Sequence, residues 1–330
     1  MSLIPSDAHS LLLAAESLFT QGLAAGSDVL FDPSRRTYWV FLLATLLLAI
    51  AVLAHQQKSF PMRRWLSACF SKRYLLSKSS REDVAYWLVN SVLRVFVLIP
   101  IVGGQLVFTL AVVRFLHGQF GAAPSVAGSV MANAWVMMTV FTLTFLVFED
   151  LSRYGLHRLM HRVPWLWRFH RAHHSAEVLT PLTLYRVHPV EMTLYYLRSM
   201  LVFGCVSGVF IYLWGSSVKG WQILGVDAIG FLFNFAGANL RHSHVWLSFG
   251  WLERWLISPS QHQLHHSSNP QHYNCNYGSM LAVWDRWFGS WRGAGSREAL
   301  TFGLRPSAPV VVNVAEQPLV DEVAGKKLAQ

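Results

Sequence analysis

The sequence predicts an all-α fold, a polytopic membrane helical bundle with a cytoplasmic histidine-rich di-metal cap. Three observations predict it. The chain of 330 residues is 53% hydrophobic and only 13% charged, whereas a soluble globular chain carries about 25% charged residues. The apolar residues gather in long runs flanked by Lys and Arg. Most of the 15 histidines fall at 157–188 and 242–272, just outside such runs.

Residues 1–36 read as an N-terminal amphipathic segment that closes in the polar link "DPSRR". Its apolar stretch is interrupted by Glu16 and lacks a basic leader, so no cleavable signal peptide is expected. A membrane-embedded domain is expected over 37–299. Its first crossing is Tyr38 to Ala54, about 17 residues and near the lower limit for a bilayer. The stretch 55–83 carries Lys58, Arg63, Arg64, Lys72, Arg73, Lys78 and Arg81, which puts it on the cytoplasmic side and the start of the chain outside. Residues 85–113 are apolar and interrupted by Pro100, Gly103 and Gly104. Proline and glycine permit one kinked crossing or a re-entrant hairpin. The single crossing is favoured, because it leaves both basic loops on one side. Residues 130–148 form the next span, and the arginines after it mark the cytoplasm again. Residues 193–214 and 221–238 predict a hairpin through the bilayer and back, which returns His242 and the third histidine box to the same face. From 300 to 330, Pro306, Pro309 and a polar end predict a mobile tail.

The net charge of +10 raises the question of nucleic acid. The basic residues flank apolar segments instead of forming one basic domain, so anionic lipid headgroups are the expected partner and nucleic acid is not. The 14 Trp and 10 Tyr residues suit aromatic belts at a membrane interface. Cys69, Cys205 and Cys275 are scattered, with no CxxC, and predict neither a disulfide frame nor a thiolate metal site.

The chemistry is carried by three boxes: His157 and His161 in "LHRLMH", His170, His173 and His174 in "HRAHH", and His262, His265 and His266 in "HQLHH". Neutral imidazole ligates iron, zinc or copper. Positions i, i+3 and i+4 share a helix face, so each box is expected to aim its histidines at one point. The boxes supply more nitrogens than one metal can use, and two metals in an all-histidine cage is the economical reading. No box has Glu after its first His, so the zinc-peptidase pattern is missing. A haem needs two axial ligands, not dense boxes. Two other classes stay open: a membrane zinc hydrolase, and a non-catalytic metal-binding or transport protein. Transport is disfavoured because the apolar runs hold almost no charge apart from Arg198.

Asp150 lies two helical turns before His157 and is placed to accept an imidazole N–H; the competing reading is a helix N-cap. Glu191 suits either job. Asp285 is expected to tie the C-terminal segment to the site. Trp165, Trp167, Phe169, Trp284, Trp287 and Phe288 are expected to be interfacial anchors and packing.

Taken together, "DLSRYGLHRLMH", "FHRAHH", "SPSQHQLHHS" and "NYGSMLAVWDRWFG" resemble the fatty acid hydroxylase/sterol desaturase superfamily of integral-membrane di-iron oxygenases, over about residues 130–292. The "LRHSHVWLSFGWLERWLISPSQHQLHH" stretch resembles its bacterial sterol-desaturase-like members. The resemblance implies a cytoplasm-facing centre of two iron ions, O2 as co-substrate and an external electron donor of ferredoxin or cytochrome type with its reductase. It assigns His157, His161, His170, His173, His174, His262, His265 and His266 to the metals. His242 matches a further family histidine. His244 is two residues on and faces away on a helix, so His242 is favoured. His188, His272 and Asn276 are weaker candidates. The implied reaction is hydroxylation of an unactivated C–H, or desaturation if a second hydrogen is removed. The expected substrate is a membrane lipid, with hydroxylation of a polar lipid such as an ornithine lipid or fatty acyl chain preferred over sterol desaturation or C-methyl oxidation. The expected location is a bacterial inner membrane.

Overall fold

The computed structural model describes residues 30–56, 63, 66–67, 71–123, 133–215, 219–224 and 226–304. The expected amphipathic segment before residue 30, most of the basic stretch 57–70 and the tail beyond 304 lie outside these residues. The polar link at 32–36 runs through turns, tied by Arg35 on Asp32 at 3.1 Å.

The described chain is helical. Its helices are α1 (Trp39–Gln56), α2 (Lys72–Leu75), α3 (Lys78–Phe120), α4 (Ala134–Arg162), α5 (Pro164–His174), α6 (Pro189–Trp214), α7 (Ala228–Phe235), α8 (Pro259–His266) and α9 (Val283–Trp287). Helices α1, α4 and α6 are long and apolar enough to cross a membrane. Helix α3 has 43 residues, about 64 Å at 1.5 Å per residue. It begins where the Ser77 hydroxyl accepts the Ser80 N–H. It runs unbroken through Pro100, Gly103 and Gly104, so the hairpin alternative for 85–113 is excluded and the single helix stands. Helix α6 packs along it. A Cβ on Gly204 would strike the Phe108 ring, and one on Gly208 would strike Val112. This small-xxx-small spacing lets two membrane helices approach closely.

The segment 221–238 departs from expectation. It is not a crossing helix but a two-residue antiparallel ladder, Gln222–Ile223 with Val226–Asp227, followed by α7. Eight residues rise about 12 Å, far short of a bilayer core of about 30 Å. The sequence is apolar enough, but local chemistry cuts it. Asp227 accepts the Gly230 N–H and starts the helix. Gly237, with φ 92°, closes the segment in the left-handed region. Trp221 hydrogen-bonds Thr142 on α4 at 2.9 Å, and the 3-10 turn Ala238–His242 then carries the chain to the histidine end. Helix α1 packs beside this return, with Phe41 on Phe231 and Ala49 and Leu53 against Leu240 and Val245.

The expected tail begins too early at 300. Phe302 is buried with Ala176 and Leu179, and Ser268 N–H bonds the Thr301 carbonyl at 2.8 Å. The packed domain therefore continues to 304.

Candidate metal centre

The site grows from three helix ends and one turn. Helix α4 brings His157 and His161 on its last two turns. It ends at Val163, and Pro164 starts α5 at the first helical position, where a missing N–H costs nothing. Helix α5 then presents His170, His173 and His174. Ser258 and Gln261 cap α8 reciprocally, with Pro259 at its first position. Every residue of α8 is buried, although "PSQHQLHH" is a polar sequence. Its side chains have internal work. Gln263 donates to the Leu240 and Val245 carbonyls at 3.0 and 2.9 Å, and Gln261 donates to the Arg292 carbonyl at 3.0 Å.

Nine histidines fall into two groups whose ring nitrogens lie within 4.8 Å of one another: His157, His161, His170, His174 and His265 in one, and His173, His242, His262 and His266 in the other. Every histidine favoured from sequence is in one of them. The expectation that each box converges on one point is corrected. Helix α5 sends His170 and His174 to the first group and His173 to the second; α8 sends His262 and His266 to the second and His265 to the first.

The proton positions follow from the partners. The Nδ1–H of His157 donates to the Tyr277 carbonyl at 2.8 Å, and that of His265 to the Cys275 carbonyl at 2.8 Å. His170 Nδ1 meets Glu191 Oε1 at 2.8 Å, and His173 Nδ1 meets the Arg186 carbonyl at 3.3 Å. A neutral imidazole that donates from Nδ1 has only a lone pair on Nε2. Yet the Nε2 atoms of His157 and His170 face each other at 3.1 Å. In the second group, His242 Nε2 lies 3.1 Å from that of His262 and 3.2 Å from that of His266. His161 and His265 have buried Nε2 atoms with no hydrogen-bond partner. Converging lone pairs in a buried site fit a bound cation. Burial drives His170 and His173 down to about 3, and burial with neighbouring histidines holds His174, His242, His262, His265 and His266 well below their usual value. All are therefore neutral bases at physiological pH, the form that ligates.

The carboxylates sort differently from expectation. Asp150 touches no imidazole and, deep inside α4, caps no helix. Its oxygens accept from Met280 N, Leu281 N and Trp284 Nε1, each at 3.0 Å. Trp284 is thus a packing residue, buried with Tyr154 and Tyr277, and also a hydrogen-bond donor. Glu191 is the carboxylate that meets an imidazole. Asp285 does tie the C-terminal segment to the site: it accepts from Tyr277 N, Gly278 N and the Ser290 hydroxyl, which fixes the loop whose carbonyl holds His157. A Cβ on Gly278 would collide with the Leu281 carbonyl and Asp285.

The weaker candidates lie outside both groups. His188 accepts the Val190 N–H as the N-cap of α6. His244 packs between Tyr74 and Phe302. His272 faces Glu298 at 3.5 Å. Asn276 accepts the Arg292 N–H and donates to the Gln261 carbonyl, a bracing role. Sequence reasoning missed the backbone acceptors on Cys275, Tyr277 and Arg186. A signal was present: Asn274 and Asn276 flank Cys275, and both have positive φ, at 62° and 53°. Asparagine tolerates that region, so "YNCNYG" encodes a loop with inward carbonyls. Arg186 was also missed. It is buried, and it ties α5, through the Ala172 carbonyl and Ser175, to Glu82 and Asp83 of α3.

Comparisons with known proteins agree with this geometry. Residues 142–290 match the family model described as Fatty acid hydroxylase. The chain is 28% identical over 187 residues to a Delta(7)-sterol 5(6)-desaturase of Gibberella zeae, covering 56% of this chain and 52% of the relative. It is 29% identical over 170 residues to an alkylglycerol monooxygenase of Xenopus tropicalis, covering 52% of this chain and 34% of the relative. An ornithine lipid hydroxylase of Rhizobium tropici is 30% identical over 145 residues, 44% of this chain and 40% of the relative. The chain thus spans about half the length of these relatives or less. No solved structure matches it. The histidine-bearing segment is thus similar to the fatty acid hydroxylase family.

Proposed function

We propose that this chain is an O2-dependent oxygenase of membrane lipids, that its nine grouped histidines hold two iron ions, and that it hydroxylates a polar lipid. The observation that carries this reading is the division of buried histidines into five and four, with lone pairs turned inward. Five nitrogens exceed the four ligands of a structural zinc site, and both groups lack the thiolate or carboxylate common among zinc ligands. When bound, the iron pair would supply O2 activation and the removal of hydrogen from an unactivated C–H. The chain supplies geometry. Hydrogen bonds from His157, His170, His173 and His265 fix ring orientation and tautomer. Eight of the nine rings are buried and His161 is partly so, a setting that favours the neutral, ligating form.

The relatives are named for a sterol, an alkylglycerol and an ornithine lipid, which supports a lipid substrate. Sterol desaturation is the second reading, favoured by the alignment to the Gibberella zeae relative over 52% of its length. Three apolar helices support a membrane location. A bacterial inner membrane, a cytoplasm-facing centre and a ferredoxin- or cytochrome-type donor complete the proposal. Lipidomics of cells with and without the gene tests it. A lipid class that gains one oxygen supports hydroxylation, one that loses two hydrogens supports desaturation, and an unchanged lipidome contradicts both.

A further inference from the structure

The histidine cage leaves a second set of charges unused. Arg36 and Arg241 are electrostatic neighbours of His242, Arg153 is one of Arg36, and Arg35, Arg94 and Arg153 are neighbours of Tyr196; Arg198 joins them through Glu149. Four of them have partners. Arg35 holds Asp32 at 3.1 Å; Arg153 and Arg198 share Glu149 at 3.1 and 2.6 Å. Arg241 donates to the Ile257 carbonyl and is an electrostatic neighbour of Asp150. Arg36 and Arg94 have no carboxylate within ion-pair distance among the described residues.

Arg36 lies over the Phe233 ring at 5.9 Å, the same ring that Arg241 covers at 4.7 Å. The charged neighbours of Arg36 are themselves cations, Arg153 and Arg241. Burial, and then Arg153, lower it to about 10, so it keeps its charge at neutral pH. Arg94 lies 5.9 Å over the Tyr185 ring, and its Nε is buried without a hydrogen bond. Tyr185 links the two: its hydroxyl meets Thr37, the residue after Arg36, at 3.1 Å. Tyr196 stands nearby, coupled electrostatically to Arg94, Arg35 and Arg153.

Partly buried guanidinium groups without a counter-charge are costly. An anion that presents two or three oxygens removes that cost through charge-assisted hydrogen bonds. The position is also informative, because Arg36 and Arg241 are both electrostatic neighbours of His242 in the four-histidine group. On the reading that this chain is a lipid oxygenase, we infer that Arg36 and Arg94 bind the anionic headgroup of the lipid substrate, a carboxylate or phosphate, and hold that end beside His242. A neutral sterol offers this site a single hydroxyl and no charge.

The test uses the full chain, purified in neutral detergent, and spin-labelled stearic acid against its methyl ester. The immobilised fraction is read by electron paramagnetic resonance, with iron content measured on the same samples. The acid should bind at least about tenfold more tightly than the ester, as a hydrogen bond to a charged group implies. Arg36→Gln and Arg94→Gln should each erase most of that preference. Unlabelled lysophosphatidic acid should displace the label, and inorganic phosphate at equal concentration should not. Equal binding of acid and ester by the wild-type chain overturns the inference without relying on any variant. Displacement by inorganic phosphate overturns the lipid assignment, because the site then takes a free anion. An acid preference in protein that takes up no iron would sink the oxygenase reading and leave the headgroup site standing.

Discussion

The two histidine groups are assembled from the same parts in opposite proportions. Helix α5 gives its i and i+4 histidines to the five-histidine group and its i+3 histidine to the other; α8 does the reverse. On a helix, residues i and i+4 lie about 40° apart, while i+3 falls about 60° to the other side of i. An HxxHH box therefore has two faces. Two such boxes set against each other form two groups of ring nitrogens, each drawing on both helices. The groups differ in their supports. In the five-histidine group His157, His170 and His265 reach outer acceptors at 2.8 Å. In the four-histidine group His173 reaches one at 3.3 Å, and His262 Nδ1 is buried without a partner. His242 also comes from a 3-10 turn and not from a long helix. The first group is braced, and the second is left to adjust.

The largest effects should come from the crossing histidines. His265→Ala and His173→Ala should each abolish activity and lower bound iron, each draining the group centred on the opposite helix. Mössbauer spectra of the two variants should show loss of different iron signals; loss of the same signal from both would break the exchanged arrangement.

Chelation sharpens the difference in bracing. Iron should leave in two phases, the faster from the four-histidine group, because outer hydrogen bonds hold ligands in place. His242→Ala should remove the fast phase. A single phase, unchanged in that variant, would show the groups to be equally held.

The carboxylates come next. Glu191→Gln should weaken metal affinity or activity by about 10–100-fold, as loss of a partner to a ligating imidazole does elsewhere. Asp150→Asn should keep its metal but lose about 1–3 kcal/mol of stability, since an amide leaves one of three donors unmatched. Thermal melting beside iron content separates the two. A large iron loss in Asp150→Asn with an unchanged melt would reverse their roles.

The smallest effects belong to His244→Ala and His272→Ala, whose rings lie outside both groups. Iron content should stay near wild type in each. A drop comparable to that of His265→Ala would enlarge the cage.

The grouped histidines were legible because histidine at helical spacing has few other reasons to recur. Their partition was not, since sharing a face is a coarser statement than a 100° rotation between i+3 and i+4. The outer acceptors were illegible as side chains because three are backbone carbonyls, on Cys275, Tyr277 and Arg186. The spacing of Asp150 to His157 along one helix misleads, because its partners sit about 130 residues away. The same limit explains 221–238: hydropathy counts apolar residues, but Asp227 and Gly237 decide where the helix stops.

Counting metal tests most directly whether these histidines form two metal sites. The full-length chain, expressed with iron and zinc both available, should carry about two irons and little zinc, in line with ligand sets too large for tetrahedral zinc. One zinc per chain, or a single iron lost entirely in both His173→Ala and His265→Ala, would contradict it.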